Sequence, residues 1–149
     1  VVILDFRSAL ELKKNHLNIN LKVITSRRTS QPVKEIINKK LKNIASIWNG
    51  KGENPYEEAI QSSSFFIVTS DSTSMISEAA ISGKPIYIYH LPFKRKSVRI
   101  SNFHDEFSKI GITRDLKNIK HLENWEYNLL NESERIGSII KKRIIKDII

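Results

Sequence analysis

Residues 64–89 read SFFIVTSDSTSMISEAAISGKPIYIY, and this stretch predicts one complete strand-helix-strand unit. Apolar runs stand at both of its ends, at residues 65–68 and 86–89, without the polar alternation of a half-exposed strand. Strands that are covered on both faces of a parallel sheet have this character. Between the two runs, Gly83 ends a short helix and Pro85 prevents its continuation. The stretch therefore predicts two buried strands of a parallel sheet and the helix that connects them.

The junction between the first strand and the helix, residues 69–74, contains five hydroxyl side chains and one carboxylate. The first turn of a helix presents backbone N–H groups without intrahelical partners, and its dipole favours negative charge. The junction therefore predicts a cradle for a diphosphate that needs no metal ion. Glu78 lies one helical turn after Ser74, so its carboxylate is placed to accept hydrogen bonds from a ribose. In the plainer interpretation the serines only cap the helix and Glu78 forms a surface salt bridge.

Outward from this unit, the sequence predicts further strands and helices in alternation. Strands are predicted at residues 21–25 and 44–48, and helices at residues 1–14, 31–42, 54–62 and 98–110. Four residues are expected to form the buried stripe of the helix at 31–42: Val33, Ile36, Ile37 and Leu41. Residues 112–127 are predicted to be irregular, with Trp125 and Tyr127 as anchors. A capping box at residues 131–134 predicts a last helix.

This alternation predicts an α/β fold with a Rossmann-like parallel sheet and helices on both faces. At 149 residues and 40% apolar content, one domain is expected. Ligands of such sheets bind at the carboxyl ends of the strands, where three loops are predicted here, residues 26–29, 49–56 and 70–74. All three loops should therefore lie at the same edge of the sheet. Arg27 and Arg28, in the first loop, either supply forked cations to an anion or are simply solvated.

The composition excludes several kinds of functional site. The chain contains no cysteine, which excludes disulfides, thiol catalysis and cysteine-ligated metal among these residues. The four histidines lack metal-ligand spacing, so no metal site is predicted. His104 and His121 are candidates for acid-base groups, but structural histidines are the commoner case. No segment is apolar enough to cross a bilayer.

The net charge of +9 and the pI near 9.8 favour anionic partners such as phosphates or acidic lipid. A lysine-rich coding bias without functional cause explains the charge equally well. Specific nucleic-acid binding is not expected, because neither interleaved exposed aromatic residues nor a known module is apparent. We expect a cytoplasmic protein, with peripheral attachment at the inner membrane surface as an option.

Six motifs follow one another along the chain: Ser26-Arg27-Arg28-Thr29, Asn54-Pro55-Tyr56, Asp71-Ser72-x-Ser74-Met75-x-Ser77-Glu78-Ala79, Gly83-Lys84-Pro85-x-Tyr87, Phe103-His104 and Asn131-Glu132-x-Glu134-Arg135. In this order they resemble the C-terminal half of the ELM-type mitochondrial-fission family. Bacterial members of that family are often labelled predicted nucleoside-diphosphate-sugar epimerases. The resemblance runs from about residue 21 to residue 144, and the third and fourth motifs together are its most specific part.

The resemblance implies the C-terminal half of a GT-B glycosyltransferase-like fold, in which this domain holds a nucleotide-sugar donor. The diphosphate would be bound by the backbone N–H groups of Ser72, Ser74 and Met75. Arg27 and Arg28 would face the phosphates. The nucleotide sugar is then a substrate, and no cofactor is expected.

The remaining implied contacts concern the nucleoside. Glu78 would bind the ribose, and Asn54 and Tyr56 would line the side of the base. The catalytic base would come from the acceptor domain, which lies upstream in the family and is absent from these 149 residues. The label epimerase is not supported, because a nicotinamide-dependent epimerase needs a Gly-rich fingerprint and a Tyr-x-x-x-Lys pair, neither of which is evident.

In the family, this domain begins with a strand and a Gly-rich loop that would precede residue 1. We therefore expect a partial domain that lacks its first strand, is inactive alone, and self-associates through an unpaired sheet edge. The predicted function is donor binding in a GT-B-type glycosyltransferase-like protein. The alternative is a non-catalytic ELM-like adaptor that acts at an acidic membrane surface or with protein partners. Nonspecific nucleic-acid binding is a third and weaker interpretation.

Overall fold

The computed structural model describes residues 19–26, 29–92, 97–119 and 121–129. Its strands are β1 (Leu21–Ile24), β2 (Ala45–Trp48), β3 (Phe66–Thr69), β4 (Ile86–Tyr89) and β5 (Thr113–Asp115). Its helices are α1 (Gln31–Leu41), α2 (Tyr56–Ser62), α3 (Thr73–Ile81) and α4 (Val98–Lys109), and a 3-10 turn follows β5 at Leu116–Asn118. The helices predicted at residues 1–14 and after residue 131 lie outside the described residues.

Every strand pair in the described ranges is parallel, which confirms the predicted α/β class. The strands nevertheless form two sheets rather than one. β1 pairs with β2, with Val23 opposite Ile47, and a second sheet has the order β3-β4-β5, with Val68 opposite Ile88. The apolar pattern could not locate this break, because it does not indicate which strands pair with each other.

Helices cover both faces of β3, as predicted. Alternate side chains of this strand enter two different core clusters: Ile67 joins one, and Phe66 and Val68 join the other. The first cluster also contains residues of β1, α1, β4 and the 3-10 turn: Leu21, Val23, Ile37, Leu41, Tyr87 and Leu116. The second also contains residues of α3, β4, α4 and the turn before β5: Ile76, Ala79, Ala80, Ile86, Ile88, Phe107 and Ile112. The first cluster thus packs the two sheets together, although no strand pairing within the described residues joins them.

Two details of the prediction are wrong. Val33 and Ile36 were expected in the buried stripe of α1, but they are 43% and 52% exposed, and of the four only Ile37 and Leu41 are buried. Residues 112–127 were expected to be irregular, but they contain β5. This strand has three residues and an exposed arginine at its centre, Arg114, so it lacks an apolar run that would reveal it.

The segment after β5 is anchored by its aromatic residues, as predicted. Trp125 donates its indole N–H to the Gly111 carbonyl at 2.9 Å and packs edge-on against Tyr87, with ring centroids 5.0 Å apart. The Tyr127 hydroxyl lies 3.1 Å from the Ala80 carbonyl and 3.0 Å from the Lys84 carbonyl. Burial raises the pKa of Tyr127 to about 12, so the hydroxyl stays a donor. Tyr127 thus holds the segment against the end of α3, and Trp125 holds it against β4 and the turn before β5.

Replacing Tyr87 by phenylalanine is expected to destabilise the fold by about 1–2 kcal/mol. The fully buried Tyr87 accepts a hydrogen bond from the Glu123 backbone N–H at 2.7 Å, and that donor would lose its partner. Urea denaturation measures the change. Tyr89→Phe is the matched control, because the described residues show no hydrogen bond to its hydroxyl. Equal losses in the two variants would contradict the assigned role of the Tyr87 hydroxyl.

Candidate functional site

The loop after β1 is closed by hydrogen bonds between its two ends. The Thr29 N–H donates to the Ser26 carbonyl at 3.1 Å, and the Ser26 N–H donates to Thr29 Oγ1 at 3.1 Å. The β1 and β2 ends are joined as well, because Thr25 donates to the Trp48 carbonyl from both its N–H and its hydroxyl. Arg27 and Arg28, the predicted phosphate ligands, lie outside the described residues.

Asn54 organises the start of α2. Its Oδ1 accepts a hydrogen bond from the Tyr56 backbone N–H, two residues on, at 3.1 Å, which is the hydrogen bond of an Asx turn. Helix α2 begins at Tyr56 by its hydrogen-bond pattern, and Pro55 precedes it with φ −80°. Pro55 is therefore the N-cap residue, and Asn54 contributes from the position before it.

Tyr56 and Glu78 meet across the interface of α2 and α3. The Tyr56 hydroxyl donates to Glu78 Oε2 at 2.6 Å. Burial, followed by the hydrogen bond and the charge of Glu78, raises the pKa of Tyr56 well above its usual value, so Tyr56 remains protonated. A carboxylate has two oxygens and about four acceptor positions, so this bond leaves Glu78 able to accept from a second donor.

Tyr56 and Glu78 line a cavity of about 320 Å³, which we call the Tyr56–Glu78 cavity. Its lining comes from the carboxyl ends of β1 and β2, from the start of α2 and from α3: Ile24, Thr25, Ser26, Trp48, Asn54, Tyr56, Met75 and Glu78. Four of the predicted site residues, Asn54, Tyr56, Met75 and Glu78, are thus brought together by elements distant in sequence.

Trp48 belongs to this lining and was missed by the sequence interpretation, which treated it only as the end of a strand. Its indole Nε1 is buried and has no hydrogen-bond partner among the described residues. A large aromatic residue at the carboxyl end of a predicted parallel strand is the signal that would have found it, because such strand ends border ligand sites. The cavity therefore has an aromatic wall on the side of β2.

The junction between β3 and α3 is a tight turn. Ser70 N–H extends the β3–β4 ladder to the Tyr89 carbonyl at 3.0 Å, and Ser72 N–H donates to the Thr69 carbonyl at 3.0 Å. The Ser72 N–H, one of the donors implied for a diphosphate, is therefore engaged within the turn. The first-turn N–H groups of Thr73, Ser74 and Met75 have no intrahelical acceptor.

The side chains at this junction are arranged differently from a simple cap. Ser72 occupies the N-cap position of α3, but its side chain makes no cap hydrogen bond and is almost fully buried. Ser74 is exposed in the first turn. Ser72 lines a second cavity of about 290 Å³ together with Ser26, Thr69 and Asp71. Since Ser26 also borders the Tyr56–Glu78 cavity, the two cavities adjoin at the end of β1.

The His104 side chain is hydrogen-bonded to the turn between β3 and α3. Its Nε2 lies 2.7 Å from the Ser70 carbonyl, which can only accept, so Nε2 carries the hydrogen. Nδ1 is buried and has no partner among the described residues. Burial is the main cause that lowers the pKa of His104; nearby His90 lowers it further, whereas the Ser70 carbonyl and Asp105 raise it. His104 is thus a buried neutral histidine with a structural role.

Acidification is expected to destabilise the protein through His104. Its folded pKa lies below the unfolded value of about 6.5, so its contribution is complete above that pH and is lost as the pH falls through the folded pKa. Urea midpoints measured between pH 4.5 and 7.5 test this. His104→Gln, whose amide N–H can replace Nε2–H, should flatten the pH profile, whereas the exposed His121→Gln should not. A profile that His104→Gln leaves unaltered would refute the assignment.

Among residues 19–26, 29–92, 97–119 and 121–129, no group of three histidine, aspartate or glutamate side chains is arranged to hold a metal ion. In the same part of the chain, no helix has the length and apolar character needed to cross a membrane.

The family model for mitochondrial fission ELM1 matches residues 2–144. An uncharacterized protein, RP120, from Rickettsia prowazekii (strain Madrid E) is 36% identical over 121 residues, which cover 78% of this chain and 34% of the relative. The mitochondrial fission protein ELM1 of Arabidopsis thaliana is 29% identical over 147 residues, or 91% of this chain and 33% of the relative. The chain thus spans about a third of the length of these relatives. No solved structure matches.

Proposed function

The chain belongs to the mitochondrial fission ELM1 family, and from this membership and the geometry of the two adjoining cavities we propose that it binds a nucleoside-diphosphate sugar. The full-length protein would be a GT-B-type glycosyltransferase-like protein, with this chain as its donor-binding part. The observation that carries the proposal is the hydrogen-bonded Tyr56–Glu78 pair, which lines a cavity beside the first turn of α3.

The nucleoside would occupy the Tyr56–Glu78 cavity. Glu78 keeps acceptor positions for the two ribose hydroxyls while Tyr56 holds its carboxylate in place. The aromatic rings of Trp48 and Tyr56 and the apolar side chains of Ile24 and Met75 offer surface for a base. A cavity of this size, with apolar walls and few polar groups, is typical of small-molecule sites.

The diphosphate would lie at the start of α3. Its negative charge suits the first-turn N–H groups of Thr73, Ser74 and Met75 and the positive end of the helix dipole. Met75 borders the nucleoside cavity and Ser72 borders the adjoining one, so a ligand that fills both passes along this turn. Arg27 and Arg28, on the neighbouring loop, would supply compensating positive charge.

In the proposed reaction the sugar passes from the nucleoside diphosphate to an acceptor hydroxyl. The glycosidic bond to the diphosphate breaks, the acceptor oxygen bonds to the sugar carbon, and the acceptor proton goes to a general base outside the described residues. The α3 N-terminus would stabilise the charge that develops on the leaving diphosphate. Substrate binding and base catalysis would then reside in different parts of the full-length protein.

Calorimetric titration of the full-length protein tests the proposal. UDP and GDP are the probes, and uridine, guanosine and pyrophosphate are the matched partial ligands. At least one diphosphate is expected to bind more tightly than its nucleoside and pyrophosphate, because it alone engages both the Tyr56–Glu78 cavity and the α3 N-terminus. The absence of measurable binding by either diphosphate at millimolar concentration would refute the proposal.

A second assay distinguishes the alternative function, a non-catalytic adaptor at a membrane surface, from nucleotide-sugar binding. The Arabidopsis relative is named a mitochondrial fission protein, and the net charge of +9 suits an acidic surface. Salt-sensitive sedimentation with vesicles that contain acidic lipid, in a protein that binds no nucleotide, would favour it. Nucleotide binding without vesicle association would exclude a purely membrane-directed role.

A further inference from the structure

Asn49 is the one asparagine of this chain that a glycine follows. An asparagine can react with its own backbone in water, because the nitrogen of the following residue attacks the side-chain amide carbon and closes a five-membered ring. Any side chain on the following residue hinders this approach, and glycine has none. Every other asparagine of the chain precedes a larger residue or a proline. The most reactive asparagine therefore lies in the loop between β2 and α2.

The Asn49–Gly50 pair is open to water and to rearrangement. Both residues are exposed and lie outside helices and strands. Gly50 adopts φ +95°, a conformation that glycine reaches without strain. Its N–H makes no hydrogen bond to any described residue, so the attack breaks no existing bond of this nitrogen.

The Asn49 side chain is held beside its own peptide bond. Its Oδ1 accepts a hydrogen bond from the Lys51 N–H at 3.2 Å. This Asx turn spans the peptide bond between Asn49 and Gly50, so the side-chain carbon stays close to the nitrogen that attacks it. The Lys51 N–H would also stabilise the negative charge that develops on Oδ1 during the attack, as the donors of an oxyanion hole do.

A positive charge lies near the attacking nitrogen. Lys34 Nζ, on helix α1, is 3.5 Å from the position that a β-carbon would take on Gly50. The Gly50 nitrogen attacks after it has lost its proton, and a nearby ammonium group stabilises the resulting anion by Coulomb attraction. Lys34 therefore lowers the barrier to ring closure.

Asn54 gives an internal comparison within the same loop. It is also exposed, and its Oδ1 accepts the same kind of hydrogen bond from the Tyr56 N–H at 3.1 Å. The next residue is Pro55, whose nitrogen carries the ring in place of a hydrogen. Asn54 therefore has a similar turn but no nitrogen that can close the ring.

We propose that Asn49 is a site of spontaneous deamidation. The Gly50 nitrogen bonds to the Asn49 side-chain carbon, the carbon–nitrogen bond of the side-chain amide breaks, and ammonia leaves with the proton from Gly50. Water then opens the succinimide ring at one of its two carbonyl carbons. Opening at the side-chain carbon gives aspartate. Opening at the backbone carbon gives isoaspartate, in which the main chain runs through the former side chain.

The modification alters the loop that connects two residues of the Tyr56–Glu78 cavity, Trp48 and Asn54. Each product adds one negative charge, and isoaspartate also lengthens the main chain by one methylene and disrupts the turn to Lys51. We expect the modified protein to bind a nucleoside diphosphate more weakly, because like charges repel. This consequence rests on the proposed function, whereas the modification itself does not.

Peptide mass spectrometry tests the proposal on the full-length protein, incubated in neutral buffer and sampled over time. Trypsin releases residues 43–51, a peptide that also contains Asn43 as a control. Aspartate and isoaspartate are both expected at Asn49, with no conversion at Asn43 or Asn54. Conversion should be at least as fast in the folded protein as in the synthetic peptide 43–51, which lacks Lys34. An intact Asn49, or slower conversion in the folded protein, would overturn the proposal.

A pair of lysine variants tests the contribution of Lys34. Lys34→Gln should slow the conversion about two- to fivefold, the factor for an interaction of a solvent-accessible charge. Lys39→Gln removes an exposed charge from the same helix and should leave the rate unchanged. Equal rates in Lys34→Gln and the unaltered protein would overturn the role of Lys34.

Titration with UDP and GDP tests the consequence for binding. Asn49→Asp carries the added charge, and Asn49→Gln keeps an uncharged amide, so weaker binding is expected in Asn49→Asp alone. Equal affinities in the two variants would overturn the expected effect on the site. Conversion at Asn49 in a protein that binds neither nucleotide would support the modification and refute the proposed function, so the two failures are distinguishable.

Discussion

Replacing Glu78 by alanine in the full-length protein is expected to weaken the binding of a nucleoside diphosphate by about 10- to 100-fold, the usual effect of losing hydrogen bonds to a charged group. Glu78 is the residue to which we assign the ribose hydroxyls, and no other carboxylate lines the Tyr56–Glu78 cavity within the described residues. Calorimetric titration with UDP and GDP measures the change. Pyrophosphate binding, which does not involve the ribose, should be much less affected.

Two variants serve as controls for this loss. Glu57→Ala removes an exposed carboxylate from the neighbouring helix α2 without touching the cavity, and it should leave binding unchanged. Tyr56→Phe removes the 2.6 Å hydrogen bond that orients Glu78 and should cause a smaller loss than Glu78→Ala. Unaltered affinity in Glu78→Ala, or an equal loss in Glu57→Ala, would contradict the ribose assignment.

Replacing Phe66 by alanine is expected to lower the free energy of unfolding by about 3–5 kcal/mol, the range for removing a buried aromatic side chain. Phe66 is 0% exposed and packs in the cluster formed by β3, β4, α3 and α4. Phe66 is the first residue of β3, the strand that precedes α3. Residues of α3 pack in the same cluster as the Phe66 ring. Urea denaturation measures the loss.

The neighbouring phenylalanine is the matched control. Phe65 points to the opposite face, where it is only partly buried, so Phe65→Ala removes the same ring at a smaller cost. A loss below about 1 kcal/mol in Phe66→Ala, or a greater loss in Phe65→Ala, would mean that the register of β3 is wrong, since a shift of one residue exchanges the two faces of a strand.

The central unit of the fold could be predicted because its signals are local. Continuous apolar runs at β3 and β4, the hydroxyl-rich helix start and Gly83 with Pro85 all agree on one arrangement. Gly83 adopts φ +70°, the left-handed conformation that a helix-ending glycine supplies. The short polar β5 carries no such signal. The division into two sheets depends on hydrogen bonds between strands far apart in sequence, which local pattern does not encode.

The position of the candidate site could be predicted from the sequence, but its side-chain contacts could not. The rule that ligand loops gather at the carboxyl ends of parallel strands correctly indicated that Asn54 and Tyr56 would lie near α3. It could not foresee that the Tyr56 hydroxyl would bond to Glu78, 22 residues away, because that contact depends on how α2 and α3 pack. Trp48 was missed because strand periodicity does not indicate which side chain at the end of a strand borders a cavity.

A crystal structure of the full-length protein with a bound nucleoside diphosphate tests the central claim most directly. We expect diphosphate oxygens about 2.7–3.2 Å from first-turn N–H groups of α3, among Thr73, Ser74 and Met75, and the ribose hydroxyls within hydrogen-bond reach of Glu78. A nucleotide that occupies another part of the protein, with the α3 N-terminus and the Tyr56–Glu78 cavity making no contact to it, would contradict the account.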